Sequence, residues 1–302
     1  RPWDLQNDPE GRLPLAPFRS AEELTEKTQG ILGHVAPRFG EQFALMKKAG
    51  LLDLESRKGK APGGYNTTLA EARLPFIFMN SVGLDSDLRT LFHESGHAMH
   101  SFAARNLALS FYRQAPIEFC EVASMSMELL VEPYVSEFYP DAGEQARSSL
   151  RHFESLVTLL PWIAQIDAFQ HWVYTNPNHL RAEREKAWLS LCERFGGDVD
   201  WGGLEGIRAV QWHRQLHLFE CPFYYIEYGI AQLGALQIWR NAKRDRKATL
   251  EAYQRGLAAG GSLSLPDLFK AAGIRFDFSV EMLKPLLAEI EAEIDRLERS
   301  IQ

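Results

Sequence analysis

From Asp85 to the end of the chain the sequence shows helical periodicity almost without interruption, and this pattern constrains the fold more than any other feature. No internal repeat of fixed period and no low-complexity linker accompanies it, so we expect one compact unit rather than a solenoid. The predicted fold class is therefore mostly α, in a single domain over residues 1–302. We predict helices over residues 86–105, 117–138, 144–174, 179–195, 203–214, 223–244, 247–259, 265–272 and 280–301.

The segment before Asp85 has a different pattern. Ser20, followed by AEELTEK, has the features of an N-cap, and a second helix is predicted over Pro37–Lys48. Glycines and a proline then indicate a turn, and LPFIFMN is an apolar run typical of a buried strand. We predict a small sheet here, with strands at Thr67–Leu69 and Leu74–Asn80.

Composition excludes two classes of partner. A net charge of −7 gives no basic surface for nucleic acid. No apolar run approaches the roughly 20 residues that span a bilayer, so we expect no membrane-embedded segment. The sequence has three cysteines without metal-binding spacing, a sparse and odd number that suits a reducing cytoplasm, and we expect them to be small buried side chains.

Residues 88–102, LRTLFHESGHAMHSF, place two histidines four residues apart with a glutamate directly after the first. On a helix, His93 and His97 lie on one face and can each present a ring nitrogen to one metal ion. Glu94 projects about 100° around the helix, beside the ion, where it can take a proton from a water on the metal. An ordinary amphipathic helix that happens to carry histidines would show the same letters, so the motif needs a third ligand.

Glu121 is the candidate third ligand. It lies 24 residues beyond His97, near the start of the next predicted helix, in the segment FCEVASMSMELL. A glutamate on an apolar helix face is costly to bury unpaired, and coordination to a cation removes that cost. His93, His97 and Glu121 thus form a candidate site for one Zn²⁺ per chain, a two-histidine, one-glutamate set rather than a three-histidine set.

Three neighbours of the motif are given other roles. His100 shares the side of the helix that carries the ligands, and we expect it in the core or behind them. Glu128, seven residues after Glu121, either orients a ligand through its second ring nitrogen or is solvated or salt-bridged. Gly96 is small enough to admit another chain segment close to the helix.

TLFHESGHAMHSF followed by FCEVASMSMELL resembles the oligoendopeptidase F branch of the thimet oligopeptidase family, in which a glutamate ligand follows the HExxH helix at this distance. RPWDL, GKAPGGYN and LPFIFMNSVG are similar to the same family, so the resemblance runs from residue 1 to about 275. It implies a zincin-like helical metallopeptidase catalytic domain with a small β-sheet next to the HExxH helix. It also implies the C-terminal part of a longer two-lobed protein, without the N-terminal helical region that forms the opposite wall of a substrate channel.

A second candidate region, residues 212–234, is rich in aromatic side chains. Tyr225 and Tyr228 are three residues apart on one helix face, with His217 just upstream. Hydroxyl or imidazole donors can stabilise the negative charge that develops on a carbonyl oxygen. The resemblance assigns these three residues to the substrate and the oxyanion, whereas on the residues alone an aromatic stripe is usually core. Tyr224 is expected to pack.

These parts predict a cytoplasmic zinc metalloendopeptidase that hydrolyses internal bonds of short unfolded peptides; the oligopeptide substrate is what the resemblance implies. Glu94 deprotonates the water and passes the proton to the leaving amine. Short peptides are the expected partners, beside the chain's own N-terminal region, and the strand at Leu74–Asn80 is expected to pair with an extended peptide. Two alternatives remain: a zinc carboxypeptidase-type exopeptidase on a similar helical scaffold, and a fragment that retains the metal and binds peptides without catalysis.

Overall fold

The computed structural model describes residues 1–301, so Gln302 of the predicted domain range 1–302 lies outside the described residues. The chain groups into two compact units. The smaller unit comprises Arg1–Pro14 and Glu154–Ile230, and the larger unit comprises Leu15–Phe153 and Ala231–Gln302. That residues 1–302 act as one catalytic domain stays a prediction.

The larger unit begins with two packed helices, α1 (Ala21–Val35) and α2 (Pro37–Lys48). As predicted, Ser20 caps α1, because its hydroxyl oxygen accepts the backbone N–H of Glu23 at 3.1 Å. Pro37 stands at the start of α2, where its missing N–H leaves no bond unmade. The two helices bury their apolar faces against each other, so they supply one wall of the core.

A three-stranded sheet follows, made of β1 (Leu52–Glu55), β2 (Tyr65–Leu69) and β3 (Leu74–Ser81). The strand order is β1-β3-β2, with β1 parallel and β2 antiparallel to β3. The two predicted strands are confirmed, and β1 was missed. The expectation that Leu74–Asn80 pairs with a peptide is wrong, because β3 is the central strand and both its edges are already hydrogen-bonded; β1 and β2 are the two edge strands.

Helices α3 (Asp85–Ala104) and α4 (Ile117–Leu130) carry the two halves of the metal motif. The Asp87 carboxylate closes the turn into α3 by accepting three successive backbone N–H groups at 2.7–2.9 Å. The predicted helix over 117–138 is too long. It ends at Leu130, and a 3-10 helix covers Glu132–Glu137 because Pro133 has no N–H to continue the α-helical pattern.

The next five helices are α5 (Ala142–Thr175), α6 (Arg181–Phe195), α7 (Glu205–Ala209), α8 (His217–Glu220) and α9 (Tyr225–Arg244). Both α5 and α9 contribute residues to both units, and the other three lie in the smaller unit. The core of the smaller unit is aromatic, with Phe169, Trp188 and Trp212 packed together. The predicted helix over 203–214 breaks at Val210, whose backbone leaves helical values at φ −113° and ψ 9°. The predicted helix over 223–244 starts later because Phe223 is left-handed at φ 64°.

Helices α10 (Arg246–Ala259), α11 (Leu265–Ala271) and α12 (Val280–Ile301) complete the larger unit. Helix α10 packs on α3 and α4, and its buried Tyr253 donates its hydroxyl hydrogen to the carbonyl oxygen of Ala123 at 2.7 Å. This contact ties the C-terminal helices to the helix that carries Glu121.

Two expectations from composition can be compared with the structure. Among the helices described, none is long and apolar enough to cross a bilayer. The three cysteines are free thiols. Cys192 is buried and Cys120 half-buried, but Cys221 is exposed, so the expectation of burial is wrong for Cys221, which follows the short α8 at the surface.

Candidate active site

Two histidines of α3 point in the same direction from successive turns of the helix. The ring centroids of His93 and His97 are 5.0 Å apart, and the ring planes are inclined at 82°. Their side chains are 24% and 19% exposed, so each ring is mostly buried but can be reached from solvent. This is the arrangement that four-residue spacing on a helix predicts.

Helix α4 brings Glu121 to these histidines because Gly96 has no side chain. A Cβ atom at Gly96 would lie 2.5 Å from the Cα of Ser124, a distance that no real side chain tolerates. Glu121 Oε2 is therefore 3.2 Å from His93 Nε2 and 3.6 Å from His97 Nε2. The small residue predicted to admit a neighbouring segment does so.

The three side chains fit a zinc ion. Each offers one ligand atom, and these atoms all lie within 4.8 Å of one another, the only such group of three found among residues 1–301. With metal–ligand bonds of about 2.0–2.1 Å, a tetrahedral zinc site has ligand–ligand edges of about 3.3 Å. The 3.2 and 3.6 Å separations are close to that edge. Two imidazoles and a carboxylate also match the chemistry of catalytic zinc sites, which keep a fourth position open.

Glu128 contacts the ring nitrogen of His93 that does not face Glu121. Its Oε1 lies 2.7 Å from His93 Nδ1. When Nδ1–H donates to this carboxylate, the lone pair of Nε2 faces Glu121, where an ion would bind. Of the two roles that the sequence left open, the geometry favours orientation of a histidine ligand.

The charges around His93 are strongly coupled. Burial lowers the pKa of His93, but hydrogen bonds to Glu121 and Glu128 raise it well above its usual value. Burial also raises the pKa of Glu128, yet hydrogen bonds from His152 and His93 lower it to about 2. Glu128 is thus a carboxylate at neutral pH. For His97, burial lowers the pKa to about 4, which keeps its ring neutral and able to bind a metal.

Glu94 is a buried carboxyl beside the ligands, with 6% of its surface exposed. Burial raises its pKa, His93 lowers it, and the charges of Glu121 and Glu128 raise it again, to about 7 in all. The backbone of Asn66, in the edge strand β2, hydrogen-bonds to it. A carboxyl with a pKa near neutrality can both accept and release a proton at working pH, as a general base requires.

His100, the third histidine of α3, is a core residue. It is 5% exposed, and its ring stands edge-on to Phe119 with centroids 5.9 Å apart. Burial lowers its pKa to about 3, so the ring is neutral. It lies outside the cluster of ligand atoms, as expected.

The aromatic residues singled out in the sequence form a cluster in the smaller unit. The Tyr228 hydroxyl oxygen is 3.3 Å from His217 Nε2, and the Tyr225 ring is 5.3 Å from the His217 ring. Tyr225 is 8% exposed, and its hydroxyl oxygen accepts the Trp162 indole N–H at 3.1 Å. Tyr225 is therefore part of the core. A role for any of the three in binding an oxyanion stays a prediction.

Both ring nitrogens of His217 have a polar neighbour, Gln215 at Nδ1 and Tyr228 at Nε2. The side-chain amide nitrogen of Gln215 lies 2.7 Å from Nδ1 and can only donate. With the amide in this orientation Nδ1 accepts, and Nε2 carries the ring hydrogen and donates it to the Tyr228 oxygen. In that arrangement the Tyr228 O–H is a donor to a group other than His217.

One polar residue near the ligands was not singled out in the sequence. His152 Nε2 lies 3.2 Å from Glu128 Oε2. His152 belongs to α5, and nothing in its neighbours along the chain marks it as close to the metal motif. The only sequence signal is the four-residue spacing of Glu128 and Glu132, which places two carboxylates on one side of the chain.

A mostly helical chain whose HExxH helix is paired with a glutamate on the next helix has the arrangement of a metallopeptidase catalytic region. The profile described as "Peptidase family M3" matches residues 39–286. The chain belongs to peptidase family M3, which agrees with the branch that the motifs resemble.

Two curated relatives and one solved structure illustrate the similarity. Oligopeptidase PepF of Bacillus subtilis (strain 168) is 26% identical over 279 residues, which cover 89% of this chain and 40% of the relative. The chromosomal oligoendopeptidase F of Lactococcus lactis subsp. cremoris is 24% identical over 295 residues, which cover 93% of this chain and 46% of the relative. Pz peptidase A, solved with an inhibitor, superposes with a TM-score of 0.88 at 30% identity, over 95% of this chain and 51% of its own. The chain thus spans about half the length of these proteins.

Proposed function

We propose that this chain is the zinc-dependent catalytic region of an endopeptidase that cleaves internal bonds of short unfolded peptides. The observation that carries the proposal is the convergence of ligand atoms from His93, His97 and Glu121, with the buried carboxyl of Glu94 next to them on α3. The substrate class is supported by the names of the relatives, which are an oligopeptidase and an oligoendopeptidase.

In this proposal His93, His97 and Glu121 hold one zinc ion. When bound, the zinc polarises the scissile carbonyl and increases the acidity of the attacking water. Glu94 accepts the proton of that water on its carboxylate. It then donates the same proton to the amine nitrogen that leaves when the peptide C–N bond breaks.

Other residues bind the substrate. Strand β2 is one of the two edge strands, and the backbone of its Asn66 hydrogen-bonds to Glu94, so an extended peptide that adds to β2 would run beside the base Glu94. Tyr228, positioned by His217 and by the ring of Tyr225, donates its hydroxyl hydrogen to the oxyanion. Recognition through backbone hydrogen bonds favours loose sequence specificity. We keep a cytoplasmic location as part of the proposal, on the sparse and odd number of cysteines.

The proposal is tested with an internally quenched fluorescent peptide and metal analysis of the purified chain. We expect wild type to contain about one zinc per chain and to cleave the peptide at an internal bond. Glu94→Gln should keep its zinc and lose nearly all cleavage, because the amide cannot take up the proton. Glu41→Gln, the same change at an exposed position of α2, should cleave like wild type.

Each alternative has its own outcome in this assay. Equal cleavage by wild type and Glu94→Gln would refute the role of Glu94. Products released only from the C-terminal end of the peptide would instead identify a carboxypeptidase-type exopeptidase. Zinc-loaded wild type that binds the peptide without cleaving it would identify a non-catalytic peptide-binding fragment.

A further inference from the structure

We propose that His152 is a positioning residue of the zinc site. It links the metal ligand His93 to a row of charged side chains that begins at Arg89. This inference rests on the proposed function, since it concerns the same site. It goes beyond the ligands, the base and the carboxylate that contacts His93. All the residues involved belong to the larger unit.

The link between His93 and His152 is the carboxylate of Glu128, which uses one oxygen for each. Its Oε1 is 2.7 Å from His93 Nδ1, and its Oε2 is 3.2 Å from His152 Nε2. The other ring nitrogen of His152, Nδ1, lies 2.6 Å from Oε1 of Glu132. His152 therefore stands between two carboxylates, with one ring nitrogen directed to each.

The far end of this row of side chains is held by residues of α3. The Arg89 guanidinium pairs with Glu132 and donates to the Ser148 hydroxyl at 2.7 Å. Ser148 in turn donates to Asp85 Oδ1 at 2.6 Å. Asp85 is the first residue of α3, and Arg89 lies one turn before His93 on the same helix. The row of side chains thus begins on α3 at Arg89 and ends on the same helix at His93.

The charges along this row of side chains alternate. Both ring nitrogens of His152 face carboxylate oxygens, and a neutral imidazole has only one N–H to donate, so hydrogen bonds to both carboxylates require the imidazolium form. A guanidinium nitrogen of Arg89 also lies 3.4 Å from Nδ1, farther than the Glu132 oxygen at 2.6 Å. Burial and Arg89 lower the pKa of His152, but the bonds to Glu128 and Glu132 raise it above its usual value. The order is then cation, anion, cation, anion from Arg89 to Glu128. A buried row of charged side chains is stable only while every charge in it is paired.

Among residues 1–301, the hydrogen bonds described for Glu128 are to His93 and His152, so removal of His152 would leave its second oxygen without that bond. Glu128 could then rotate away from Nδ1, and His93 would no longer be held with its Nε2 lone pair toward Glu121. Groups that orient a metal ligand in this way typically change metal affinity by about 10–100-fold when they are replaced. His152 contacts Glu128, and Glu128 contacts His93, so the effect of His152 on the ligand passes through Glu128.

The test compares two amides at position 152. The side-chain nitrogen of glutamine occupies about the place of ring Nε2 and can still donate to Glu128, whereas that of asparagine matches Nδ1 and reaches only Glu132. The zinc dissociation constant of the full chain is measured by chelator competition, together with the visible spectrum of the Co²⁺-loaded protein. We expect His152→Asn to weaken zinc binding by about 10–100-fold with an altered Co²⁺ spectrum, and His152→Gln to restore most of the affinity.

His171→Gln is the matched control, because it makes the same change at an exposed histidine further along α5. It should bind zinc like wild type. If His152 served only stability, both variants at position 152 would have equally lowered melting temperatures and would bind zinc with the same affinity. That result would overturn the proposal. If neither variant folds, Glu132→Gln, which keeps the shape of the side chain, should weaken zinc binding by about tenfold, and unchanged affinity would overturn the proposal.

The same measurements separate this inference from the proposed function. If wild type binds no zinc, the metal site itself is wrong and the inference is overturned with it. If wild type binds zinc and Glu121→Ala does not, while His152→Asn binds as tightly as wild type, only the role of His152 is overturned.

Discussion

Glu94 differs from most glutamates in proteins because it is buried, and no Lys or Arg among residues 1–301 forms an ion pair with it. Its carboxyl lies among Glu121 and Glu128, and its pKa is raised to about 7 from an ordinary 4.5. The unfolded chain releases this proton near pH 4.5, whereas the folded chain keeps it until about pH 7. Ionisation of Glu94 therefore destabilises the metal-free fold as the pH rises through this window.

This destabilisation predicts a pH-dependent gain in stability for Glu94→Gln. Between pH 4.5 and about 7 the free energy of unfolding of metal-free wild type should fall relative to that of Glu94→Gln, which does not titrate. The relative loss should reach about 3 kcal/mol at pH 8, at 1.36 kcal/mol per pKa unit. Denaturant unfolding of both proteins at pH 4 and pH 8, with a chelator present, measures it. If the free energies of unfolding of the two proteins differ by the same amount at pH 4 and at pH 8, the raised pKa of Glu94 is wrong.

A second residue-scale prediction concerns Tyr228. Replacement by phenylalanine keeps the ring packed against His217 and Tyr225 and removes only the hydroxyl. Loss of one oxyanion donor should lower kcat by about 10²–10³-fold with little change in KM or in zinc content. Steady-state kinetics of Tyr228→Phe and of the control Tyr224→Phe, which is expected to change kcat less than about threefold, compare the two hydroxyls. Equal kcat losses in both variants would exclude a special role for Tyr228.

How far the site could be predicted depends on where its residues lie along the chain. His93, Glu94 and His97 are predictable because one helical turn fixes their relation. Glu121 follows because the next apolar helix offers a single buried acid in its first turns. His152 could not be predicted, because its position depends on how α5 packs, and no local pattern encodes that contact.

At the scale of elements, the close approach of α3 and α4 is what brings the ligands together. Gly96 and Ser124 are the contact point, and the nearest backbone atoms leave no room for a methyl group. A side chain larger than hydrogen at residue 96 would push α4, and Glu121 with it, away from the two histidines.

Gly96→Ala should therefore destabilise the larger unit by about 1–3 kcal/mol, the usual effect of overpacking. It should also weaken zinc binding, because α4 must move and take Glu121 with it. Gly206→Ala on α7 is the control, since a Cβ there has nothing within 4 Å, and it should change stability by at most about 1 kcal/mol. Thermal unfolding and zinc competition measure both effects. Wild-type stability in Gly96→Ala would show that the two helices are not in such close contact.

The element boundaries show which parts of the fold local sequence determines. Helix α2 and the ends of α12 fall where periodicity and capping predict them. The errors occur where single backbone angles interrupt an amphipathic pattern, as at Val210 and Phe223, which hydrophobic periodicity does not report. Strand β1 was missed because LDLE is short and acidic, and it is held by parallel pairing with β3, a contact distant in sequence.

At the scale of the whole molecule, all candidate ligands and the base lie in the larger unit, whereas the aromatic cluster lies in the smaller one. The family match, over residues 39–286, includes residues of both units. The proposed metal site thus lies within one unit, and zinc binding can be measured separately from catalysis.

The most direct test of the account is the zinc stoichiometry of the metal-free chain after equilibrium dialysis against zinc. We predict about one zinc per chain for wild type, with loss of bound zinc in Glu121→Ala and full retention in Glu118→Ala, the same change in the first turn of α4. Wild type that retains no more zinc than Glu121→Ala would contradict the three-ligand site on which the proposed function depends.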